Sequence, residues 1–174
     1  MKSVLISTRP KLVEKICHKI GEDETGKAIY EKRIEVRKTA PQEAPFKAYI
    51  YETKGQYVKF THGAHTKYGY GRGKVIGEFI CDKVYSIKNR GSSFSVADEE
   101  QSVTNEIARQ SCLYYDDMVS YFGNKDGFGW HISDLKIYDK PKELSEFRKP
   151  CGCDNKITRP PLSWCYVEDL GEEE

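Results

Sequence analysis

Six short runs of β-branched and aromatic residues, set against only two stretches with helical spacing, restrict this chain to a mixed fold whose core is carried by strands. The runs cover residues 4–7, 32–39, 46–52, 74–82, 127–138 and 164–167. Such side chains fit a pleated, half-buried surface, and Gly, Pro or Asn near most of the runs supplies the turns. The run at 74–82 is apolar on both faces, which predicts a central strand. Pro41 and Pro45 mark the stretch before 46–52 as a connection, because proline cannot donate to a ladder.

The two helical stretches are as specific. After Arg9-Pro10, Leu12, Val13, Ile16, Cys17 and Ile20 recur at helical spacing, with Lys11, Glu14, Lys15 and Lys19 opposite, and Gly21 ends the pattern. Proline suits the first position of a helix. Tyr115, Met118, Val119 and Phe122 fall at i, i+3, i+4 and i+7 before Gly123-Asn124, which predicts a second short helix with a core-facing stripe. The acidic stretch 21–27 reads as a loop, 88–103 as a polar surface excursion and 172–174 as a frayed acidic end. The expected class is α+β, a small β-barrel with two to three flanking helices, in one domain spanning 1–174.

Composition narrows the function. The 174 residues are 38% hydrophobic and 32% charged, with no window near the roughly 18 apolar residues of a membrane helix. Residues 1–7 carry one charge and too short an apolar run for a secretory signal, so the chain is expected in the cytoplasm, without a membrane partner. The net charge of +1 conceals an asymmetry: residues 1–90 hold 19 Lys/Arg and 10 Asp/Glu, whereas 91–174 hold 9 and 17. A basic half points to an anionic partner. Six cysteines are scattered except for Cys151-Gly152-Cys153. Reduced thiols are the default without an export signal. A zinc site from Cys151, Cys153 and Cys165 is disfavoured because C-x-C lacks the usual ligand spacing. No metal or cofactor is expected.

Two segments carry the candidate chemistry. Residues 53–73 read as a long loop containing Lys54, Lys59, Lys67, Arg72, His62, His65, four aromatics and no acid. Cations interleaved with flat rings suit single-stranded nucleic acid, and the alternative is a mobile hairpin loop. The strand at 32–39 places Arg33, Glu35 and Arg37 on one face and Lys32, Ile34, Val36 and Lys38 on the other. Solvated strand charges and a polar cleft both fit that pattern.

The succession of a strand, Arg9-Pro10 and a helix, then Lys32-x-x-Glu35-x-Arg37, then 73–79, then Trp130-His131-Ile132-Ser133-Asp134-Leu135 resembles the ASCH family of the PUA-like superfamily. The likeness is to small prophage and bacterial members, and residues 136–141 and 159–165 extend it over nearly the whole chain. It implies a PUA-like barrel with a cleft that binds RNA or a modified nucleotide or nucleoside. Lys32, Glu35, Arg37 and Lys38 would line the cleft, with Arg9 and Lys11 at the helix start and Trp130 and His131 on a nearby strand.

Catalysis stays open. A related family that deacetylates N4-acetylcytidine uses a lysine and a threonine in this strand; Lys32 matches the lysine, and Glu35 stands where the threonine would be. A desolvated lysine can act as a base, but Glu35 cannot supply a hydroxyl nucleophile. It could position a water, accept a hydrogen bond from a cytosine amino group, or pair with Arg37. Other members are described as ribonucleases using lysine, tyrosine and serine, for which Lys32 or Lys11, Tyr51 or Tyr68, and Ser133 are candidates. A phage accessory module that binds a host protein is the non-enzymatic alternative.

Overall fold

The computed structural model describes residues 1–171; the acidic end expected at 172–174 lies outside them. In chain order it contains β1 (Lys2–Thr8), α1 (Pro10–Cys17), β2 (Lys19–Glu22), β3 (Ala28–Tyr30), β4 (Ile34–Arg37), β5 (Phe46–Glu52), β6 (Gly55–His62), β7 (His65–Gly71), β8 (Val75–Cys81), β9 (Val84–Asn89), β10 (Phe94–Val96), α2 (Gln101–Ser111), α3 (Tyr115–Phe122), β11 (Gly127–His131), β12 (Ser133–Lys142), a 3₁₀ turn (Leu144–Glu146) and β13 (Trp164–Val167). The chain divides into two compact units: Met1–Glu14, Pro45–Ile80 and Asp134–Glu174 form the first, Lys15–Ala44 and Cys81–Ser133 the second.

The first unit is built on a five-stranded sheet in the order β12-β8-β5-β1-β13. β5 runs parallel to β1, from Phe46 beside Lys2 to Glu52 beside Thr8, and β13 runs antiparallel on the far side of β1. Parallel pairing belongs to sheets covered on both faces, and all seven residues of β5 are buried. Leu5, Tyr49, Tyr51, Val75, Phe147, Ile157 and Val167 form the core cluster, with the Tyr49 and Phe147 rings edge to face at 4.9 Å. Pro141 is accommodated because β12 is an edge strand.

Residues 53–73, expected as a loop, are instead a two-stranded ribbon. β6 and β7 pair antiparallel from Gly55 opposite Gly71 to His62 opposite His65. Gly63, at φ +58°, turns the chain in a conformation that glycine adopts without strain. The Glu52 carboxylate accepts bonds from the Arg72 backbone N–H (2.6 Å) and guanidinium (3.2 Å), and Thr53 N donates to Thr8 O (3.0 Å), fastening the root of the ribbon.

The second unit is a four-stranded antiparallel sheet, β10-β9-β11-β4, with α2 and α3. Ile34 and Val36 of β4 cluster with Ile87, Val96, Ile107, Met118 and Phe122, so alternation turns Glu35 and Arg37 to the opposite face. Gly129, opposite Val36, lets the elements approach; a Cβ there would lie 3.1 Å from Ile34 Cγ2. α3 begins with the Tyr114 backbone N–H on Asp117 and ends at Gly123, φ +64°, as the spacing predicts.

Several sequence expectations are corrected. α1 stops at Cys17, and Ile20 belongs to β2 of a small hairpin with β3 rather than to the helix or a loop. The polar excursion at 88–103 contains β10 and the start of α2. The run at 127–138 is two strands in different sheets, broken at Ile132, with Asp134 at φ +45°. The sheets are open, not closed into a barrel, although the α+β class and three helices hold. Cys151 and Cys153, expected as free thiols, form a disulfide, which removes both sulfurs as thiolate ligands.

The ribbon root gives a test. A Cβ on Gly71 would meet Thr53 O at 1.7 Å and Pro10 Cγ at 2.7 Å, and backbone cannot yield as a flexible side chain can. Gly71→Ala is expected to cost about 2 kcal/mol or more, lowering the thermal midpoint by about 5 °C for a chain of this size. An unchanged melt would show that the root does not hold this close approach.

Candidate functional site

The densest group of buried charge lies at the start of β4. Lys32, Glu35 and Arg37 are 1%, 3% and 5% exposed. Lys32 precedes the strand, so strand alternation does not govern it. Contrary to the expectation that it shares a face with Ile34 and Val36, its side chain reaches Glu35, with Nζ 3.6 Å from Oε2. Lys32 Nζ also donates to Ile34 O (2.7 Å) and Ser111 O (2.6 Å). Arg37 donates through Nε (3.0 Å) and NH2 (2.8 Å) to Glu35 Oε1. Oε2 accepts no hydrogen bond among the described residues.

Burial pushes the Lys32 ammonium below the ordinary lysine range, and the Glu35 carboxylate offsets part of that shift. The ammonium is retained because it sits where α2 ends: a helix C-terminus presents unpaired carbonyls and the negative end of its dipole. Arg33 N completes the arrangement by donating to Gln110 O (2.9 Å). Cys112 follows in the left-handed conformation (φ 56°). Burial raises its thiol, an effect partly opposed by Lys32.

The other candidates are placed as follows. Trp130 lies directly opposite Glu35 in the β11–β4 register and is fully buried. Opposed residues share a face, so Trp130 and Glu35 lie together. His131, beside Ile34 in that register, meets Asp82 through Nδ1 and Oδ1 at 2.6 Å. Lys38, just past β4, is exposed with its ammonium 5.1 Å from the Tyr121 ring centroid. Arg9 and Lys11 are exposed at the start of α1 in the first unit, where Arg9 O accepts from Leu12 N and Val13 N at 3.0 Å. Tyr51 is core, Tyr68 lies exposed on the ribbon, and Ser133 starts β12.

Sequence reasoning missed Ser111, Gln110 and Asp82 as partners. Ser111 and Gln110 became partners only with α2, whose buried residues Thr104, Ile107 and Ser111 fall at helical spacing. With one large apolar residue among the three, that signal is easily read as a polar surface.

Three crystal structures of an ASCH protein from Zymomonas mobilis align along nearly the whole chain. The ASCH protein matches with a TM-score of 0.58 at 18% identity, over 96% of this chain and 88% of its own. The chain has an ASCH-like fold. A tyrosine-to-phenylalanine variant of the same protein gives 0.58 at 16% identity over 97% and 91% of the two chains, and a serine-to-alanine variant gives 0.59 at 17% over 96% and 89%. No family model and no curated protein matches the sequence. At such identity the likeness concerns the path of the backbone.

On this ASCH-like scaffold Lys32 makes a testable contribution. Lys32→Met removes the partner of two buried carbonyls and leaves Glu35 with Arg37 alone, an expected loss of about 3–5 kcal/mol in urea unfolding. The native lysine binds its proton more weakly than an unfolded one, whose pKa is about 10.4. Between the lowered native value and that limit the unfolded state holds more protons, so stability rises with pH. This rising component should disappear in Lys32→Met; an identical pH slope in both proteins would rule out a lowered Lys32.

Proposed function

We propose that this ASCH-like chain binds RNA or a nucleotide in the cytoplasm, reading one nucleobase with Lys32, Glu35 and Arg37. The observation that carries this reading is Glu35 Oε2, buried, 3.6 Å from the Lys32 ammonium and without a hydrogen-bond donor among the described residues. A buried carboxylate oxygen lacking a donor is costly. The exocyclic amino group of cytosine, adenine or guanine is a donor of the right kind. Trp130, on the Glu35 face, gives the base a flat neighbour. The ASCH resemblance, which implies RNA or a modified nucleotide, supports the same assignment.

Entry requires the covering side chains to move aside, so association should be slower than simple diffusional capture. Arg9 and Lys11 are proposed only as phosphate contacts, and Lys38 and His131 as contacts at the ends of the strand pair. Their loss is to be tested apart from the buried cluster.

A hydrolase is the second reading, favoured by the desolvated Lys32 with its lowered pKa. Against it, Lys32 donates to two carbonyls, and on the resemblance Glu35 takes the position of the amidohydrolase threonine. Incubation with N4-acetylcytidine and with labelled RNA separates the two: product formed by the natural protein and abolished in Lys32→Ala would replace binding by hydrolysis.

Calorimetric titration with the four common nucleosides and N4-acetylcytidine tests the binding reading. Nucleosides with an amino group should bind more tightly than uridine. Glu35→Gln should weaken them by about tenfold or more, the value of a hydrogen bond to a charged group. Unaltered affinities in Glu35→Gln would refute the site.

A further inference from the structure

The β6–β7 ribbon has a composition that its place in the first unit does not explain. Val58, Tyr68 and Tyr70 are 42%, 49% and 71% exposed. The register puts Val58 opposite Tyr68 and Gln56 opposite Tyr70, so these four side chains share one face. A register shift between Val58 and Phe60 turns Phe60 toward Lys67, whose ammonium lies 5.8 Å from the Phe60 ring centroid. Lys54, Lys59 and Lys67 are exposed, the segment from 53 to 73 contains no acid, and Arg72 is held by Glu52 at the root.

A two-stranded ribbon is marginal in isolation, and its exposed rings contribute only cross-strand pairs and one cation–π contact to its stability. Its root is nevertheless fixed by the Glu52 clamp and by the close fit of Gly71 against Thr53 and Pro10. A rigid arm carrying uncovered aromatics and uncompensated lysines is complementary to one class of ligand: a flexible polyanion with exposed flat groups. Duplexes hide their bases, and an acidic protein surface has no use for a row of rings.

We propose that the β6–β7 ribbon is a docking arm for single-stranded RNA. Bases stack on Tyr68 and Tyr70, while Lys59 and Lys67, which alternation puts on the other face, meet the phosphates of a strand that wraps the ribbon's border. Thr61, Thr66 and Gln56 on the tyrosine face offer hydrogen bonds to ribose 2′-hydroxyls. The choice of RNA rests on the reading of the β4 cluster as a nucleobase site; the arm itself is a separate surface with its own test.

The full chain is titrated by fluorescence anisotropy with an RNA of about 12 nucleotides, within the usual span of such sites, across a salt series. The same-sequence single-stranded DNA and duplex RNA serve as controls. Tyr68→Ala combined with Tyr70→Ala is expected to weaken RNA about tenfold or more at every salt concentration. Lys59→Gln with Lys67→Gln should reduce the salt slope by about 1.4, roughly 0.7 for each phosphate contact on a single strand. Both variants should retain nucleoside binding at β4, whereas Glu35→Gln should lose it and keep the salt slope.

RNA affinity unchanged in both ribbon variants would overturn the arm and leave the β4 reading standing. Duplex or DNA binding as tight as single-stranded RNA would overturn it as well. So would a dimer, seen by sedimentation, that the tyrosine variant dissolves without loss of RNA affinity. Photo-crosslinking of the unaltered chain to thiouridine-labelled RNA guards against a misfolded variant: crosslinks should fall within Gly55–Gly71, and crosslinks confined elsewhere would reject the proposal.

Discussion

Burying the Lys32 ammonium against the end of α2 is the constraint from which the geometry of the second unit follows. Four carbonyls at a helix C-terminus need donors, and α2 finds them at Ser111 Oγ, Cys112 N, Arg33 N and Lys32 Nζ. Lys32 N donates as well to Lys15 O in α1, so one residue ties the ends of two helices to the first turn of β4. Once it is fixed there, Glu35 is drawn toward the ammonium and Arg37 toward Glu35. The helix dipole and the carboxylate together offset part of the desolvation that lowers the Lys32 pKa.

The parts of the fold legible in the sequence are those whose pattern has a single solution. The run at 74–82, apolar on both faces, predicts a central strand and is β8, between β12 and β5, and the stripe from Tyr115 to Phe122 could only be a helix against a core. α2 was hidden because Thr104 and Ser111 occupy buried positions, and Thr104 is there to accept the Val96 N–H (3.0 Å). The break at Ile132 was hidden because Asp134 adopts positive φ without glycine. The ribbon looked like a loop because Gly55, Gly63, Gly69 and Gly71 are poor strand formers. Yet Gly71 is where the Thr53 backbone approaches too closely for a side chain, and the ends of Lys59 and Tyr57 lie over Gly69.

The candidate site was legible in composition and not in shape. Its three charged residues stand out in the sequence, but their grouping depends on Lys32 lying just outside the strand, and strand periodicity says nothing of a residue there. The pairing of His131 with Asp82 is likewise a matter of tertiary proximity across 49 positions.

The edges of the sheets carry a consequence for life at high concentration. β12 exposes the rim of the first sheet, and there the chain places Lys136, Asp139, Lys140, Pro141 and Lys142. Charges discourage an incoming strand, and a proline withholds one of the donors it would need. β13 on the opposite rim and β10 at the border of the second sheet are only four and three residues long. The ribbon has two open borders and neither proline nor acid. Its protection is the mutual repulsion of its own lysines, so neutralising them with a polyanion or with concentrated salt also removes the barrier that keeps one molecule's ribbon from zipping onto another's.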